Sequence, residues 1–421
     1  PRIDVHTVSV TTNTTPTVAY RGAGRPEATA AIERAMDLFA AELGMDPADV
    51  RRKNLIAKFM EPHTTAIGQT YDVGDFEGAL DRALKTADYA RLRAEQRARR
   101  ERGDRLQLGI GVSVYVEITA GTSTSEDARV EVLPNGRAVV YTGTSPHGQG
   151  HVTSWSMIAA EETGIAMEDI DVVWGDTDLV PVGGGTMGSR SLQLGGAAVQ
   201  QASRELIEQA KKHAARLLEA NEADVVFDRD HGAFHVAGTP AVAKTWADVA
   251  LAQQDDGGLS QYTTFPSAGP TFPFGSHVAV VEVDVETGQV RHIRHVACDD
   301  AGRVLNPLIL DGQIHGGIAQ GAAQALLEEV RYDQDGNPIT SNLADYAFIS
   351  AAELPSFEVV HMETPTPRNP LGAKGIGESG TIGSTPAVQS AVIDAVAHLG
   401  IRHIDMPATS ERVWRAIHTA R

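Results

Sequence analysis

The protein has 421 residues, 42% of them hydrophobic, and its 36 Lys and Arg against 55 Asp and Glu give a formal net charge of −19. This composition is typical of a globular protein with a sizeable core and excludes a disordered chain, and the length predicts two or three domains or one large interwoven unit. The acidic balance argues against nucleic acid or an anionic membrane surface as a partner, because both favour clustered Lys and Arg. The one dense basic run, residues 91–105, is interpreted as an exposed helix face.

Cys298 is the only cysteine. A single thiol excludes an internal disulfide, a four-thiolate iron–sulfur cluster and a multi-cysteine zinc site. Any redox relay must therefore use another chain or another cofactor. No run of about 18 apolar residues and no signal pattern occur, so we expect a cytoplasmic location without a membrane span. Because Pro1 is not an initiator Met, the chain is expected to begin part-way through a larger gene product.

Hydrophobic spacing and turn residues predict a mixture of helices and strands along the chain. In the first helix Pro26 suits the first position, Ile32, Met36 and Phe39 recur at helical spacing, and Gly44 suits the end. A second short helix is expected from residue 46, and an exposed helix or linker over 86–105. Strands are predicted at 109–118, 129–133, 137–142, 170–174, 277–285 and 289–298, and helices at 151–162, 193–218, 307–328, 386–399 and 410–419. The fold class is therefore α+β, built from mixed α/β parts.

Four loops gather many of the 41 glycines beside polar residues: 20–25, 146–151, 185–191 and 372–380. Glycine lets the backbone approach a ligand closely, and the last three loops each precede a predicted helix whose free N–H groups attract anions. One such loop alone is more simply a turn. Four in one chain predict a large phosphate-bearing cofactor.

Simpler site patterns fit these loops less well. Residues 375–380 formally match the dinucleotide-binding fingerprint, but that motif requires a strand directly before the glycines. The proline-rich segment 364–370 stands there instead. A nicotinamide dehydrogenase is therefore only the third hypothesis for the function. His147 and His151 are four residues apart, yet glycines separate them and no third ligand has suitable spacing. Glu378 by itself could be an ordinary loop acid, and Cys298 a buried apolar residue.

In this order and spacing, the four loops resemble the molybdenum-binding large subunit of the xanthine oxidase family, most closely its aerobic carbon monoxide dehydrogenase-like bacterial members. The resemblance extends from the Thr-Asn-Thr-Thr-Pro stretch at 12–16 to the helix after Glu378, and matches the C-terminal half of the usual subunit. It implies an active-site loop with a helical segment over 1–105 and a cofactor-binding subdomain over 106–275. A second subdomain over 276–421 would carry the catalytic glutamate.

The resemblance also implies the residues of the site. In that family molybdenum is held by the dithiolene of a pterin, so no protein side chain is expected as a metal ligand. Glu378 matches the catalytic glutamate. The residues matched to cofactor-lining segments are Ala19, Tyr20, Arg21, Gly22, Gln149, Gly150, His151, Thr153, Gly188, Ser189, Arg190, Ser191, Gln313, Lys374, Gly375 and Gly377.

The activity implied is hydroxylation of an aldehyde or an N-heterocycle with water as the oxygen source, Glu378 removing a proton. The pterin is expected in its cytosine dinucleotide form. Two electrons must leave through iron–sulfur centres and FAD, for which this chain has no thiolates. The implied partners are the N-terminal half of the large subunit, an iron–sulfur small subunit, an FAD medium subunit and a small-molecule substrate.

One departure from the resemblance concerns carbon monoxide oxidation. The true carbon monoxide oxidisers place a copper-carrying cysteine beside the conserved arginine, whereas Gly22 and Ala23 follow Arg21 here. We therefore expect no molybdenum–copper pair, and Ala23 is expected to leave a roomier pocket than the aromatic residue of purine and aldehyde oxidisers. The alternative to an enzyme is a structural or assembly subunit without cofactor of its own.

Overall fold

The computed structural model describes residue 4 and residues 6–419, which form two compact units. Unit 1 combines the described residues through Ile118 with residues 272–365 and 376–419. Unit 2 combines residues 119–271 with 366–375. Each unit is therefore assembled from segments that are far apart in sequence.

The described residues contain ten α-helices. They are α1 (Arg25–Leu43), α2 (Pro47–Asn54), α3 (Phe76–Ala87), α4 (Tyr89–Arg102), α5 (His151–Thr163), α6 (Ala197–Leu217), α7 (Trp246–Ala252), α8 (Pro307–Leu326), α9 (Ser379–Val396) and α10 (Ser410–Thr419). A π-helical segment, Ser191–Gly196, leads directly into α6. None of these helices is long and apolar enough to cross a lipid bilayer.

Thirteen strands complete the secondary structure of the described residues, apart from short 3₁₀ turns. They are β1 (His63–Thr64), β2 (Thr70–Tyr71), β3 (Leu106–Val116), β4 (Ser125–Val132), β5 (Ala138–Thr142), β6 (Ile170–Val173), β7 (Val225–Asp228), β8 (Ala233–Val236), β9 (Ala243–Thr245), β10 (Leu259–Pro266), β11 (Phe274–Asp284), β12 (Val290–Asp300) and β13 (Phe357–Met362). The combination of open sheets and helices confirms the predicted mixed α and β class.

Unit 1 is built on a four-stranded sheet in the order β13-β12-β11-β3. The pairs β3/β11 and β11/β12 are antiparallel, whereas β12 and β13 run parallel. Helix α9 covers one face of this sheet and α3 the other. The strand residues are buried on both faces, which explains their long apolar runs.

Two glycines of β3 determine how closely α9 lies on the sheet. A Cβ atom at Gly109 would stand 1.9 Å from the carbonyl oxygen of Ala391, and one at Gly111 would stand 1.9 Å from that of Ala387. The helix backbone therefore rests directly on the strand backbone. This contact fixes α9, at whose N-terminal end Glu378 is placed.

Helix α1 is present as predicted, but its row of apolar residues does not face the core. Ile32, Phe39 and Leu43 are 64%, 52% and 55% exposed. The buried face instead carries Glu33, which accepts from the Arg51 guanidinium at 2.5 Å. A buried ion pair therefore joins α1 to α2 where hydrophobic spacing predicted an apolar seam.

Unit 2 contains a four-stranded sheet in the order β10-β4-β5-β6 and a three-stranded sheet in the order β7-β8-β9. The strands β4/β5 and β4/β10 are antiparallel, and β5/β6 are parallel. Helix α6 packs on β4 and β10, and α5 packs on α6. The crossover from β5 to β6 includes α5, so the loop before α5 lies at the carboxyl end of β5.

Two sequence expectations need correction. Helix α9 begins at Ser379, seven residues before the predicted start at Pro386, because the proline lies inside the helix instead of opening it. Helix α4 is not merely an exposed basic face. Arg93 reaches Asp394 at 2.7 Å, and Gln96 is buried and donates to the Leu108 carbonyl. Its arginines therefore hold α4 onto β3 and α9.

Candidate functional site

Arg21 joins three separate segments of unit 1 through its guanidinium group. Its Nε donates to the Gly377 carbonyl at 2.5 Å, Nη1 donates to Gln320 Oε1 at 3.0 Å, and Nη2 donates to the Gln313 carbonyl at 2.8 Å. The planar fork of arginine suits this divergent set of acceptors, which a lysine could not satisfy together. The loop before α1 is thereby tied to α8 and to the turn before α9.

Glu378 lies at the N-cap position of α9 and is half-buried. Its Oε1 accepts a hydrogen bond from the Gly22 backbone N–H at 3.1 Å. Gly22 has a φ of +103°, and a Cβ atom there would stand 2.5 Å from the Pro26 ring, so only glycine fits. The backbone amide and the nearby Arg21 charge surround the carboxylate with positive potential.

Burial lowers the pKa of the Arg21 guanidinium, while Tyr20, Glu378 and Glu117 oppose that shift. Arg21 therefore lies in the field of two carboxylates. Burial and the charge of Glu328 raise the pKa of the half-exposed Tyr20 phenol. The phenol stays protonated at neutral pH and can act only as a neutral donor or acceptor.

The α8/α9 interface sets the position of Gln313 and Gln320 relative to Glu378. A Cβ atom at Gly317 would stand 2.8 Å from Gly380 Cα, so the two helix backbones touch at this point. Gly316 faces Arg21, where a Cβ atom would lie 3.1 Å from Nη1. Small residues on both helices thus allow one guanidinium to reach acceptors from α8 and from the turn before α9.

In unit 2 the loop before α5 is shaped by two glycines with positive φ, Gly148 at +100° and Gly150 at +75°. His151 opens α5 and is buried, and its Nδ1 is 2.8 Å from the Thr144 carbonyl. Burial lowers the pKa of this imidazole, so it is neutral at pH 7 and donates to that carbonyl through Nδ1. The Oε1 atom of Gln149 accepts from the His147 backbone N–H.

Arg190 serves a structural contact in unit 2. Its Nη1 lies 2.5 Å from Glu126 Oε2, with both side chains almost fully buried, and Nη2 donates to the Ser125 carbonyl at 2.8 Å. Glu126 also accepts from the Gly184 backbone N–H. The guanidinium therefore holds the glycine-rich loop 183–185 against β4.

The loop carrying Lys374 and Gly375 packs against the loop that contains Ser189. A Cβ atom at Gly375 would lie 2.0 Å from the Ser189 carbonyl oxygen, so the two backbones are in direct contact. Asn369 braces this loop, donating to the Ala373 carbonyl at 2.7 Å. Lys374 is buried, at 1% exposure. Ser189 itself has a φ of +53°, and the Ser191 hydroxyl donates to Thr186 Oγ1 at 3.3 Å.

The predicted site residues are thus brought together within each unit. Unit 1 joins Arg21, Gly22, Gln313, Gly377 and Glu378 through direct hydrogen bonds. In unit 2 Ser189 contacts Gly375. His151 is hydrogen-bonded to the Thr144 carbonyl, and Gly195 of the π-helical segment packs against Thr144. Ala19 and Thr153 are exposed and take no part in the contacts described above.

Sequence reasoning missed several residues that build these contacts. Gln320 lies seven residues after Gln313 on α8, a spacing that places both on one helix face. Glu117 is buried near Arg21, beside a strand, and Glu126 is buried on a strand. A charged residue among the apolar residues of a predicted strand is the signal that could have indicated these two carboxylates. Asn369 lies in the proline-rich segment that was interpreted only as a barrier to a strand.

The loops fit an anionic pterin cofactor. Positions Gly148 and Gly188 have no protein atom within 4 Å of where a Cβ would stand, so there is open space beside the backbone of these two loops. Helix α5 begins without a side-chain cap, leaving its first N–H groups available to phosphate oxygens. Among the described residues no group of three or more His, Cys, Asp or Glu could hold a metal ion. A metal carried by dithiolene sulfurs needs no such group.

Comparison with known proteins gives the same family. Models described as molybdopterin cofactor-binding domains match residues 82–355 and 1–55. The chain is 39% identical to the carbon monoxide dehydrogenase large chain of Hydrogenophaga pseudoflava over 99% of its own length and 54% of that protein.

Two solved structures are also similar. A structure of the Cu,Mo-CO dehydrogenase has a TM-score of 0.88 at 38% identity, covering 96% of this chain and 53% of that one. Quinoline 2-oxidoreductase from Pseudomonas putida 86 has a TM-score of 0.85 at 35% identity, covering 95% and 53%. The chain spans about half the length of the relatives it matches. It belongs to the molybdopterin-binding large-subunit family of the xanthine oxidase-type oxidoreductases.

Proposed function

We propose that the chain is the cofactor-binding part of a molybdenum hydroxylase in which Glu378 removes a proton while oxygen from water is added to an aldehyde or an N-heterocycle. The observation that carries the proposal is the contact of the Glu378 carboxylate with the Gly22 backbone N–H, beside the Arg21 guanidinium. A carboxylate held by a backbone donor next to a fixed cation is aimed in one direction, as a general base must be.

Arg21 and Gly22 have different roles beside Glu378. Arg21 is committed to the carbonyls of Gly377 and Gln313, so its role is to position the loop that carries the glutamate. Gly22 supplies the donor that orients the carboxylate. Partial burial of Glu378 limits the water that can hydrogen-bond to its carboxylate.

The molybdopterin cofactor, when bound, supplies the redox chemistry that accepts two electrons from the substrate. Gln313 of α8, in unit 1, would contact it through its side-chain amide. In unit 2 the loop at 148–151, with Ser189, Ser191 and the loop of Lys374, would hold its phosphate-bearing part, which we propose to be a cytosine dinucleotide. The uncapped start of α5 and the positive φ angles at 148 and 150 support this assignment.

Oxidation of carbon monoxide is the second candidate, because the chain is 39% identical to a carbon monoxide dehydrogenase large chain. The positions beside Arg21 argue against it, since Gly22 and Ala23 offer no thiol there. Cys298 lies in the apolar cluster between the unit 1 sheet and α3, and burial raises its pKa to about 12. A thiol so placed is not available as a thiolate ligand.

The proposal includes partner chains. The relatives are about twice as long as this chain, and one of them is named as the large chain of its enzyme. We infer that an N-terminal half of the large subunit, an iron–sulfur subunit and an FAD subunit complete the enzyme. They would carry away the electrons for which the single buried Cys298 provides no path.

The test uses the intact complex purified with all its chains. We expect molybdenum at about one atom per large subunit, no copper, and ¹⁸O from labelled water in the product of an aldehyde or an N-heterocycle. Copper at equal stoichiometry with carbon monoxide turnover would support the second candidate. A complex that lacks molybdenum would instead support a structural or assembly role.

A further inference from the structure

One face of α9 lies along one face of β3, and the contacts between them lead toward Glu378. On the helix, the contacting residues recur every four positions and so form a single stripe of small side chains: Ser379, Gly383, Ala387 and Ala391. On the strand side, the contacting residues lie an even number of positions apart and so point to the same side of the sheet: Gly109, Gly111, Ser113 and, directly after β3, Glu117. The stripe therefore ends at the residue that follows Glu378 in sequence.

The contacts along this stripe change in kind from the end of α9 to its start. Near the C-terminal end of the helix, the two backbones touch through the glycines of the strand. Nearer to Glu378, the Ser113 hydroxyl donates to the Gly383 carbonyl at 2.7 Å. At the first residue of α9, the Ser379 hydroxyl donates to Glu117 Oε2 at 2.6 Å. The start of the helix is therefore held by side-chain hydrogen bonds, and its end by close packing.

Glu117 holds its carboxylate at a fixed point of the interior of unit 1. Its backbone N–H donates to the Pro273 carbonyl at 2.9 Å, which extends the pairing of β3 with β11 by one residue. Glu117 and Ser379 are both 0% exposed, so bulk water does not compete for their hydrogen bond. A hydrogen bond from a hydroxyl to a carboxylate is about twice as strong as one between neutral groups. The contact is thus short, buried and anchored on the sheet.

Glu378 is held through both of its neighbours in sequence. The Arg21 guanidinium donates to the carbonyl of Gly377, the residue before it, at 2.5 Å. Glu117 accepts from Ser379, the residue after it. Burial lowers the pKa of the Arg21 guanidinium, and nearby charges, that of Glu117 among them, oppose this shift. The two groups that hold the neighbours of Glu378 therefore also attract each other.

We propose that Glu117 is a positioning residue for Glu378 and acts through Ser379, an inference that rests on the function proposed above. Because both neighbours of Glu378 are bonded, its backbone cannot move away from the sheet without breaking a hydrogen bond. The Gly22 N–H then orients the carboxylate at the far end of the side chain. A general base must lie within hydrogen-bond reach of the proton that it removes, and a displacement of about 1 Å can cost about 10²-fold in rate. Glu117 therefore affects the rate of proton removal without touching the substrate.

The test uses variants of the complete enzyme, purified with all its chains. Ser379→Ala removes the donor and Glu117→Ala removes the acceptor, and each should lower kcat about tenfold with KM and molybdenum content unchanged. Because both substitutions remove the same hydrogen bond, the double variant should be no slower than either single variant. Glu117→Gln keeps the length of the side chain and an oxygen that can accept from Ser379, so its kcat should be close to that of the unsubstituted enzyme.

Ser113→Ala is the matched control for Ser379→Ala. Ser113 is also buried, lies on the same face of β3 and donates its hydroxyl to α9, but to a residue one helical turn farther from Glu378. Its substitution should lower the free energy of unfolding in urea by an amount similar to that for Ser379→Ala, whereas kcat should stay unchanged. A merely structural role of Glu117 predicts instead that the two serine variants lose turnover equally.

Three results would overturn the proposal: turnover by folded Ser379→Ala at the unsubstituted rate, an equal loss of kcat in Ser113→Ala, or a Glu117→Gln enzyme as slow as Glu117→Ala. In the last case the hydrogen bond would not explain the effect. If Glu117→Ala does not fold, Ser379→Ala still decides the question, because it removes a single oxygen atom. Undiminished turnover in Glu378→Gln would instead remove the proposed function, whatever the Glu117 variants show.

Discussion

At the scale of single residues, the site depends on the loop before α1. The Gly22 backbone N–H donates to the Glu378 carboxylate, and the Arg21 guanidinium donates to the Gly377 carbonyl beside it. Neither contact comes from a regular element, because both residues lie in the turn before α1. The base is therefore positioned by backbone geometry that only particular residues permit.

Replacing Gly22 by alanine tests this geometry. The new Cβ would meet the Pro26 ring at 2.5 Å in a backbone with positive φ, so the loop must move away from Glu378. We expect a loss of about 2 to 3 kcal/mol in the free energy of unfolding and a large loss of turnover.

Gly24→Ala is the matched control for Gly22→Ala. Gly24 also has positive φ, at +81°, but no atom lies within 4 Å of its would-be Cβ. It should show the backbone strain alone, about 1 kcal/mol. Equal effects of the two substitutions in urea unfolding would contradict the steric account.

At the scale of elements, the position of the site is decided by close contacts between backbones. Gly109 and Gly111 let α9 rest on β3, and Gly317 lets α8 touch Gly380. These contacts set where Gln313 and Gln320 present their oxygens to Arg21. Larger residues at the same positions would separate the elements that the guanidinium joins.

Two glycine substitutions on α8 separate the effect of the α8/α9 backbone contact on stability from the effect of helix propensity. Gly317→Ala places a Cβ 2.8 Å from Gly380 Cα and should lower the free energy of unfolding by about 1 to 3 kcal/mol, with a loss of turnover. Gly312→Ala, on the same helix with open space around it, should raise the free energy of unfolding by about 0.5 to 1 kcal/mol. Thermal or urea unfolding of both variants measures the difference, and a stabilised Gly317→Ala would refute the contact.

The sequence patterns predicted most elements but not their burial. Helix α10 was predicted with its observed bounds, and the β11/β12 hairpin within a few residues. Periodicity could not reveal that Glu33 would be buried on α1 while Ile32 stays exposed, since an ion pair with Arg51 decides that face. The short strands β7 to β9 carry too few residues for an alternating pattern to identify them.

The residues of the candidate site could be predicted from the sequence only in part. Glycine loops and Glu378 stand out in sequence, because special backbone geometry requires special residues. Gln320, Glu117 and the buried histidines of β11 and β12 do not, because their contacts form only when distant segments of the chain come together. Long-range pairing of that kind leaves no local signal in a single sequence.

At the scale of the whole molecule, buried neutral histidines make stability depend on pH. The pKa of His292 is about 4 in the folded protein because of burial, whereas an unfolded histidine has an ordinary value near 6.5. Between these values the unfolded chain binds more protons than the folded one. The contribution of His292 is complete above about pH 6.5 and is lost as the pH falls toward 4, a total of about 3 kcal/mol.

Urea unfolding at pH 7.5 and at pH 4.5 measures this dependence. We expect the unsubstituted protein to lose about 2 to 3 kcal/mol more than His292→Gln between the two pH values, because the variant has no imidazole to protonate there. Equal pH dependence in the two proteins would show that His292 titrates normally. Its burial would then have no effect on its proton affinity.

The central claim is that Glu378 is the base and not a structural acid. Its most direct measurement is single-turnover reduction of the purified enzyme by substrate, followed by the change in cofactor absorbance, in Glu378→Gln. Glutamine keeps the size of the side chain and an oxygen for the Gly22 N–H, so molybdenum content should be unchanged. We predict that reduction slows by at least ~10²-fold. Reduction at the unsubstituted rate, with full molybdenum content, would contradict the account.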